Sequence, residues 1–188
     1  DLLVTHHALI WKPGFITDQN NQGRNTLFLI ENGIACINAH TNLDQAPGGV
    51  NDILAERLGL QDICVIAPKG VDKSGNQWGL LRQGKVARQT LEQFMTIVKI
   101  SLGCEGLRFV DSGKPVRNVA VGGGACAGEM EQAVAAGCDT FVTADCAYHN
   151  YYDAQFRGIN LIDAGHLHTE NPVCTMLAEK IRAAFPEV

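Results

Sequence analysis

The sequence predicts a layered α/β fold, and three observations support this prediction. Short apolar runs rich in β-branched residues alternate with longer stretches of helical periodicity. A faint internal repeat relates an early segment to a late one, and each copy reads strand, helix, strand, polar turn and helix. The length of 188 residues suits one domain with a sizeable core better than two. We therefore expect residues 1–188 to fold as a single domain.

Each predicted strand is a short apolar run, and each predicted helix is a longer stretch with apolar residues at helical spacing. The predicted strands are Leu2–Thr5, Ala35–Ala39, Ile63–Ala67, Val116–Val121, Thr140–Thr143 and Asn160–Asp163. The predicted helices are Thr26–Asn32, Val50–Leu58, Thr90–Leu102, Glu129–Ala136, Asn150–Arg157 and Val173–Phe185. We expect Asn171 to cap the last helix and Pro172 to occupy its first position. The stretch Lys69–Leu81, rich in Gly and Asp, is predicted to be irregular.

Composition and charge exclude several classes of function. The net charge of −5 and the scattered basic residues argue against nucleic-acid binding, which needs a basic surface. Because no run of 18 or more apolar residues occurs, no membrane-spanning helix is predicted. The seven cysteines include no C-x-x-C pair, so neither a disulfide framework nor a thiolate zinc site is expected. These features predict a protein of a reducing compartment, the cytoplasm.

The internal repeat places polar residues directly after apolar strands in both copies. The early copy leads to His6-His7 and then to Asp44, and the late copy leads to Asp145 and then to His166. In open α/β sheets, ligands collect beyond the carboxyl ends of the strands. Two copies related by a pseudo-two-fold axis would bring four such strand ends to one crevice, so residues from opposite ends of the chain are expected to share one site.

The polar residues at these strand ends have the chemistry of metal ligands. His6 and His7 are adjacent at a strand end, where two consecutive imidazoles can turn towards two different cations. Asp44 and Glu170 offer carboxylates, and His166 offers a further imidazole. Imidazoles and carboxylates without thiolates suit Zn, Fe(II), Mn, Co or Ni better than Ca or Mg. Two cations about 3.5–4 Å apart, bridged by a carboxylate, would activate a water molecule.

Other interpretations of these residues stay open at this point. An adjacent histidine pair is often plain surface structure, and Asp44 also suits a turn or the N-cap of the helix that begins near Val50. Pro172 restricts the conformation of the residue before it. Residues 166–170 are therefore predicted to form a turn that precedes the last helix rather than the first turn of that helix. His168 becomes the ligand in place of His166 if that turn is one residue out of register.

Three segments of the chain resemble the NIF-three-like family, whose members are also labelled GTP cyclohydrolase I type 2 homologues. These segments are Val4–Lys12, Ala39–Asp44, and Asp163–His166 followed by Glu170. The resemblance covers essentially the whole chain. It implies a layered α-β-α domain of two intertwined similar halves, and a toroidal homo-hexamer. It also implies a dinuclear metal site whose ligands are His6, His7, Asp44, His166 and Glu170.

Two features of the chain depart from the family pattern. Family members usually begin well before this point, and the chain opens at Asp1 on a strand without an initiator methionine. We therefore expect that an N-terminal segment is missing. The family often has glycine where this chain has Ala144, and the added Cβ puts any close backbone approach there in question.

Weaker candidates surround the predicted ligands. Asp145 and His149 are candidates for moving protons, and His40 and His149 are candidates for hydrogen bonds to metal-bound imidazoles. The loop Gly122–Gly124 after a strand partly fits a dinucleotide fingerprint or an anion site at a helix N-terminus. The simpler interpretation is a tight strand-to-helix turn, and no cofactor besides the metals is expected.

The function expected from these residues is metal-dependent hydrolysis of a phosphoester or a nucleotide-like small molecule. The five ligands would hold two divalent cations, while nothing in the residues selects GTP. The alternative is a non-catalytic protein that stores, delivers or senses metal through the same ligands, or acts through interactions. Neither function requires nucleic acid or a membrane as a partner.

Overall fold

The computed structural model describes residues 1–12 and 14–187, and the chain divides into two compact units. The N-terminal unit is Asp1–Leu43, and the C-terminal unit is Asp44–Val188. The strand–helix–strand part of the early repeat lies in the N-terminal unit, whereas its final helix and the whole late copy lie in the C-terminal unit. The expectation of a single domain stays a prediction.

The N-terminal unit is a parallel βαβ segment. It contains strand β1 (Leu2–Thr5), helix α1 (Asn21–Glu31) and strand β2 (Ala35–Asn38). Helix α1 begins earlier than predicted because the Asn20 side chain accepts a hydrogen bond from the Gly23 N–H at 2.8 Å and so caps the helix. The two strands pair with Thr5 opposite Asn38, so the residues that follow each strand leave the sheet at the same edge.

The C-terminal unit is built on a mixed sheet in the order β3-β6-β8-β9-β10-β7. Its strands are β3 (Gln61–Ile66), β4 (Gly70–Val71), β5 (Gln77–Trp78), β6 (Leu81–Gln89), β7 (Arg108–Val110), β8 (Val116–Val121), β9 (Thr140–Thr143) and β10 (Asn160–Asp163). Helix α2 (Thr41–Gln45) contains the point in the chain where one unit ends and the other begins. The helices of the C-terminal unit are α3 (Val50–Arg57), α4 (Leu91–Leu102), α5 (Met130–Ala135), α6 (Tyr148–Arg157), α7 (His166–Glu170) and α8 (Pro172–Ala184). Strands β8, β9 and β10 are parallel, and the other pairings in this sheet are antiparallel.

Both faces of this sheet are buried under helices. Along β8, the side chains of Val119 and Val121 join one hydrophobic cluster, while that of Ala120 joins a second cluster. Successive side chains of a strand point to opposite faces, so the two clusters lie on the two faces of the sheet. Phe94 of α4 packs into the first cluster and Met130 of α5 into the second. The predicted layered α/β architecture is therefore confirmed.

Strand β6 is the largest element that the sequence analysis missed. Its residues Leu81–Gln89 are mostly polar, yet Arg82 is only 1% exposed. The strand has no alternation of apolar residues that would identify it, and the burial of the charged Arg82 depends on a partner distant in sequence, Asp52. The stretch predicted to be irregular also contains the short antiparallel pair β4 and β5.

The prediction of a turn over residues 166–170 is wrong, because these residues form helix α7. Asn171 has helical dihedral angles, φ −54° and ψ −30°, so the restriction before proline is overridden and the chain continues into α8. For the same reason Asn171 makes no side-chain cap, contrary to expectation, while Pro172 does occupy the first helical position. The helical conformation of α7 decides the geometry of the site described below.

Among residues 1–12 and 14–187, no helix combines the length and apolar character needed to cross a membrane.

All seven cysteines are free thiols, and burial raises the pKa of Cys126, Cys138 and Cys146 to about 12. A thiol with such a pKa carries almost no thiolate near neutral pH, so these three act as small apolar side chains.

Candidate metal centre

Three histidines lie together in the N-terminal unit at the carboxyl ends of its strands. His6 and His7 follow β1, and His40 follows β2 by one residue. One ligand atom from each of the three rings lies within 4.8 Å of the others. The parallel register of the strands places these residues at the same edge, which the repeat predicted for His6 and His7. The sequence analysis considered His40 only as a hydrogen-bonding partner.

Hydrogen bonds orient these rings and the turn that carries them. The Nδ1 of His6 lies 2.7 Å from the carbonyl oxygen of Ala39, so a protonated Nδ1 donates there and Nε2 becomes the ligand atom. The Thr5 hydroxyl donates to the His7 carbonyl at 2.8 Å, and the Asn38 amide donates to the same carbonyl at 3.2 Å. The backbone at His7 is therefore fixed from both strands.

The C-terminal unit joins His166, Glu170 and Asp145. Because α7 is helical, residues four apart lie on one face, and Nε2 of His166 is 2.9 Å from Oε2 of Glu170. The other ring nitrogen, Nδ1, is 2.6 Å from Oδ2 of Asp145. Asp145, predicted as a proton-moving group, is thus a hydrogen-bonding partner of a predicted ligand. Carboxylate–histidine pairs of this kind set the tautomer and orientation of metal-binding imidazoles.

Charge and burial act in opposite directions on His166. Desolvation of the partly buried ring lowers its pKa, but the hydrogen bond and charge of Asp145, together with the charge of Glu170, outweigh that effect and raise the pKa above its ordinary value. Glu170 itself is only 8% exposed. This concentration of negative charge suits a cation.

The glycine at position 124 provides the space for these ligand atoms. A Cβ there would lie 2.1 Å from Oε1 of Glu170 and 3.0 Å from Nε2 of His166. Gly124 also has φ +65°, a conformation that favours glycine. The residues present therefore fit a divalent cation. A nitrogen and a carboxylate donor meet in a cradle beside Gly124, where the absence of a Cβ leaves space for their ligand atoms.

Asp145 also has an unusual backbone conformation. Its φ of +49° lies in the left-handed region, which non-glycine residues rarely adopt without surrounding support. Ala144, where the family often has glycine, is fully buried, and its N–H donates to the Gly124 carbonyl at 3.0 Å. The residue with the rare backbone conformation is thus Asp145 rather than Ala144, and it is Asp145 whose carboxylate contacts His166.

The glycine loop itself is occupied by internal hydrogen bonds. The N–H of Gly123 donates to Oδ1 of Asn51 at 2.6 Å, and the N–H of Gly124 donates to the Thr169 hydroxyl at 3.0 Å. The N–H of Cys126 donates to the Thr143 hydroxyl at 3.2 Å. Since these N–H groups already have partners, the dinucleotide and phosphate interpretations of the loop lose their basis. The loop is a tight turn that shapes the cradle.

Asn51 and Thr169 are positioning residues that the sequence analysis did not identify. Asn51 is fully buried, and its amide nitrogen donates to the backbone carbonyl of Asp44 at 3.2 Å and of Leu80 at 2.7 Å. Its oxygen accepts from Gly123, so one side chain ties Asp44 to the glycine loop. A signal was present, because the apolar face of α3 recurs at helical spacing and includes Asn51.

Asp44 lies in helix α2 and is 7% exposed. It is neither a turn residue nor the cap of α3, whose cap position is Gly49. The two residues after it are held by Arg82, whose Nη2 donates to the carbonyls of Gln45 at 3.3 Å and Ala46 at 3.2 Å. The buried carboxylate is thus attached to a rigid segment.

The two remaining candidate histidines, His149 and His168, lie on helices α6 and α7. His149 lies exposed near the start of α6, four residues after Asp145, and its proton-moving role stays a prediction. His168 lies on α7, and its Nδ1 is 3.2 Å from the carbonyl oxygen of Leu102. With His166 contacting both Asp145 and Glu170, the register favours His166 over His168 as the ligand.

Comparisons with known proteins agree with this architecture. The family described as Duf34/NIF3 (NGG1p interacting factor 3) matches residues 1–188. The chain is 32% identical over 185 residues to the GTP cyclohydrolase 1 type 2 homolog of Clostridium perfringens, covering 97% of this chain and 70% of that protein. It is 33% identical over 187 residues to the protein of the same name from Nostoc sp., again covering 97% and 70%.

A solved structure matches the fold closely. The Bacillus cereus protein related to NIF3 superposes with a TM-score of 0.86 at 28% identity, covering 98% of this chain and 78% of that one. The match confirms the predicted NIF-three-like fold class, and the family match spans the whole chain. The chain therefore belongs to the DUF34/NIF3 family.

Proposed function

We propose that the chain is a metal-dependent hydrolase and that His6, His7, Asp44, His166 and Glu170 hold two divalent cations. The observation that carries the proposal is the cradle at Gly124, which leaves room for the ligand atoms of Glu170 and His166 and would be filled by any larger residue. The three imidazoles of the N-terminal unit support it independently. The relatives named as GTP cyclohydrolase 1 type 2 homologs point to a nucleotide-like substrate.

A pair of divalent cations, when bound, supplies activation of water near neutral pH and neutralisation of charge on a phosphoryl or ring substrate. The chain's own residues prepare that site. Asp145 holds the proton at Nδ1 of His166, so Nε2 is presented as a ligand atom. Ala39 does the same for His6 through its carbonyl. His149 is the proposed group for moving protons, since Asp145 already bonds His166.

The test is metal analysis followed by activity measurement on the purified full chain. We expect two divalent cations per chain, and turnover of a phosphoester or nucleotide that His7→Ala lowers by at least about 100-fold. Chelation should also lower the melting temperature, because a cation bound only by the folded state stabilises it. Fewer than two cations per chain would contradict the dinuclear centre.

The alternative function is metal storage or delivery without turnover. The hydrogen bond between Asp145 and His166 favours this alternative. Asp145 is one of the two residues predicted to move protons, and this contact gives it the role of positioning His166 instead. Two bound cations that exchange readily, with no turnover across phosphoesters and nucleotides, would support this alternative against the hydrolase.

Asp145→Asn is expected to weaken binding of the cation by about 10- to 100-fold, as removal of a carboxylate partner of a ligating imidazole does. Isothermal titration of the metal-free protein measures the affinity. Asp153→Asn, which removes an exposed carboxylate from α6, is the matched control and should leave the affinity unchanged. Equal affinities for the two variants would show that Asp145 does not orient His166.

A further inference from the structure

A buried carboxylate at the end of β10 bonds the two turns that carry Asp145 and His166. Asp163 is the last residue of β10 and is only 4% exposed. Its Oδ2 accepts a hydrogen bond from the N–H of Cys146 at 3.2 Å, and its Oδ1 accepts one from the N–H of Gly165 at 3.2 Å. Cys146 directly follows Asp145, and Gly165 directly precedes His166. One side chain therefore connects the two segments whose own side chains meet at 2.6 Å.

Both segments turn sharply where they leave the sheet. Strands β9 and β10 are parallel neighbours with Thr143 opposite Asp163, so the chain leaves both strands at the same edge. Asp145 has φ +49° and Gly165 has φ +83°, and both values lie in the left-handed region. An uncommon backbone conformation persists where the surrounding structure supports it. The carboxylate of Asp163 supplies such support to both turns.

Two side chains also bond the Asp163 carboxylate. Nη2 of Arg108 lies 2.5 Å from Oδ2, and the Tyr151 hydroxyl donates to the same oxygen at 3.2 Å. The Arg108 guanidinium also lies over the Tyr151 ring, 5.8 Å from its centroid. Burial and the charge of Asp163 raise the pKa of Tyr151 to about 12, so the hydroxyl keeps the proton that it donates. Every one of these partners is a donor, which suits an ionised carboxylate at position 163.

We infer that Asp163 is a positioning residue for the metal centre, because it holds Asp145 and His166 at the distance at which one orients the other. The inference rests on the proposed function for the role of His166 as a ligand, and it adds a residue that is not itself a ligand. Without both hydrogen bonds to the backbone, Asp145 and His166 would separate, and Nε2 of His166 would no longer be presented as the ligand atom. All of the residues involved belong to the C-terminal unit.

Two substitutions of Asp163 separate its position from its charge. Asp163→Asn keeps the shape of the side chain but replaces one acceptor oxygen with a donor NH2 group. In either orientation of the amide, the N–H of Cys146 or that of Gly165 then faces a donor, so one backbone hydrogen bond is lost. Asp163→Glu keeps the negative charge but moves the oxygens by one methylene from both N–H groups. Asp139→Asn is the matched control, because Asp139 also accepts from two backbone N–H groups, but at the opposite end of β9.

The first experiment is nuclear magnetic resonance of the metal-free full chain. Asp145, 2.6 Å from Nδ1, and Glu170, 2.9 Å from Nε2, compete for the proton of the neutral His166 ring. The chemical shifts of the ring nitrogens report which nitrogen holds that proton, and His166→Gln identifies the signals. We expect the proton on Nδ1 in the parent chain and in Asp139→Asn. We expect it to move towards Nε2 in Asp163→Asn and in Asp163→Glu.

The second experiment, isothermal titration with Zn²⁺, tests whether Asp163 acts through the same pair. Asp163→Asn should weaken binding by about 10- to 100-fold, as loss of a partner of a ligating imidazole does. In the Asp145→Asn background the same substitution should cost less than about twofold, because the orientation that Asp163 supports is already lost. A merely structural role would give equal losses in both backgrounds.

The outcomes separate this inference from the proposed function. If the parent chain binds no cation, the hydrolase and its dinuclear centre are contradicted, while the position of the ring proton still tests the inference. A parent-like proton position in folded Asp163→Asn or Asp163→Glu overturns the inference, and so do equal losses of affinity in the two backgrounds. Circular dichroism verifies that each variant is folded. If Asp163→Asn unfolds, Asp163→Glu carries the test, since it keeps the charge beside Arg108.

Discussion

Gly124→Ala is expected to lower the affinity of the C-terminal ligands for a divalent cation by about 100-fold or more. The new Cβ would lie 2.1 Å from Oε1 of Glu170, so the carboxylate must leave the position it shares with His166. The backbone φ of +65° adds strain of about 1–3 kcal/mol for a residue with a side chain. Isothermal titration and thermal unfolding measure the two effects separately.

The control for this variant is Gly128→Ala in the turn that precedes α5. Among the described residues, a Cβ on Gly128 would meet no atom within 4 Å, and its φ is not positive. We expect its affinity and melting temperature to match those of the parent chain. If Gly124→Ala bound cations as tightly as Gly128→Ala, the cradle would have no part in metal binding.

Arg82→Met is expected to lower the free energy of unfolding by about 3–5 kcal/mol, because it leaves a partly buried carboxylate without its cation. Nε of Arg82 is 2.5 Å from Oδ1 of Asp52, whose side chain is only 19% exposed. The guanidinium also donates to the carbonyl of Gly79 at 2.7 Å, so the substitution strands a backbone acceptor as well. Denaturant unfolding measures the loss.

The chain offers a matched exposed pair as the control for Arg82. Lys85, on the same strand, lies 3.0 Å from Asp62, and these side chains are 56% and 71% exposed. Lys85→Met should therefore cost less than about 1 kcal/mol. Similar losses for the two variants would mean that the buried pair is no more important than a surface pair. Because Arg82 also holds the residues after Asp44, its loss should weaken cation binding too.

The sequence predicted the parts of the fold whose burial is apolar. Strands Val116–Val121, Thr140–Thr143 and Asn160–Asp163 have the predicted bounds. The last two are buried at every residue, and the first is buried at its four apolar residues. Strand β6 was missed because the partner that permits burial of Arg82 lies thirty positions away, at Asp52. No local pattern encodes such a pair.

The same distinction applies to the candidate site: local patterns identified its predicted ligands, whereas the contacts that orient them could not be predicted. Adjacent imidazoles after a strand and carboxylates after a repeated strand are visible in sequence, and they gave His6, His7, Asp44, His166 and Glu170. The orienting contacts depend on tertiary structure, so the role of Asp145 beside His166 was missed. The helical α7 was also missed, since the general restriction before proline was applied at Asn171, where packing overrides it.

Asn51 joins the backbone of Asp44 to the glycine loop, and Thr169 joins that loop to α7. The backbone segments that carry Asp44 and Glu170 are therefore joined through the same loop when the polypeptide folds, before any cation binds. A cation that binds there orders little further backbone, and such preorganisation favours tight association. Loosening of this buried linkage on heating would therefore release the ion and melt the loops in a single event.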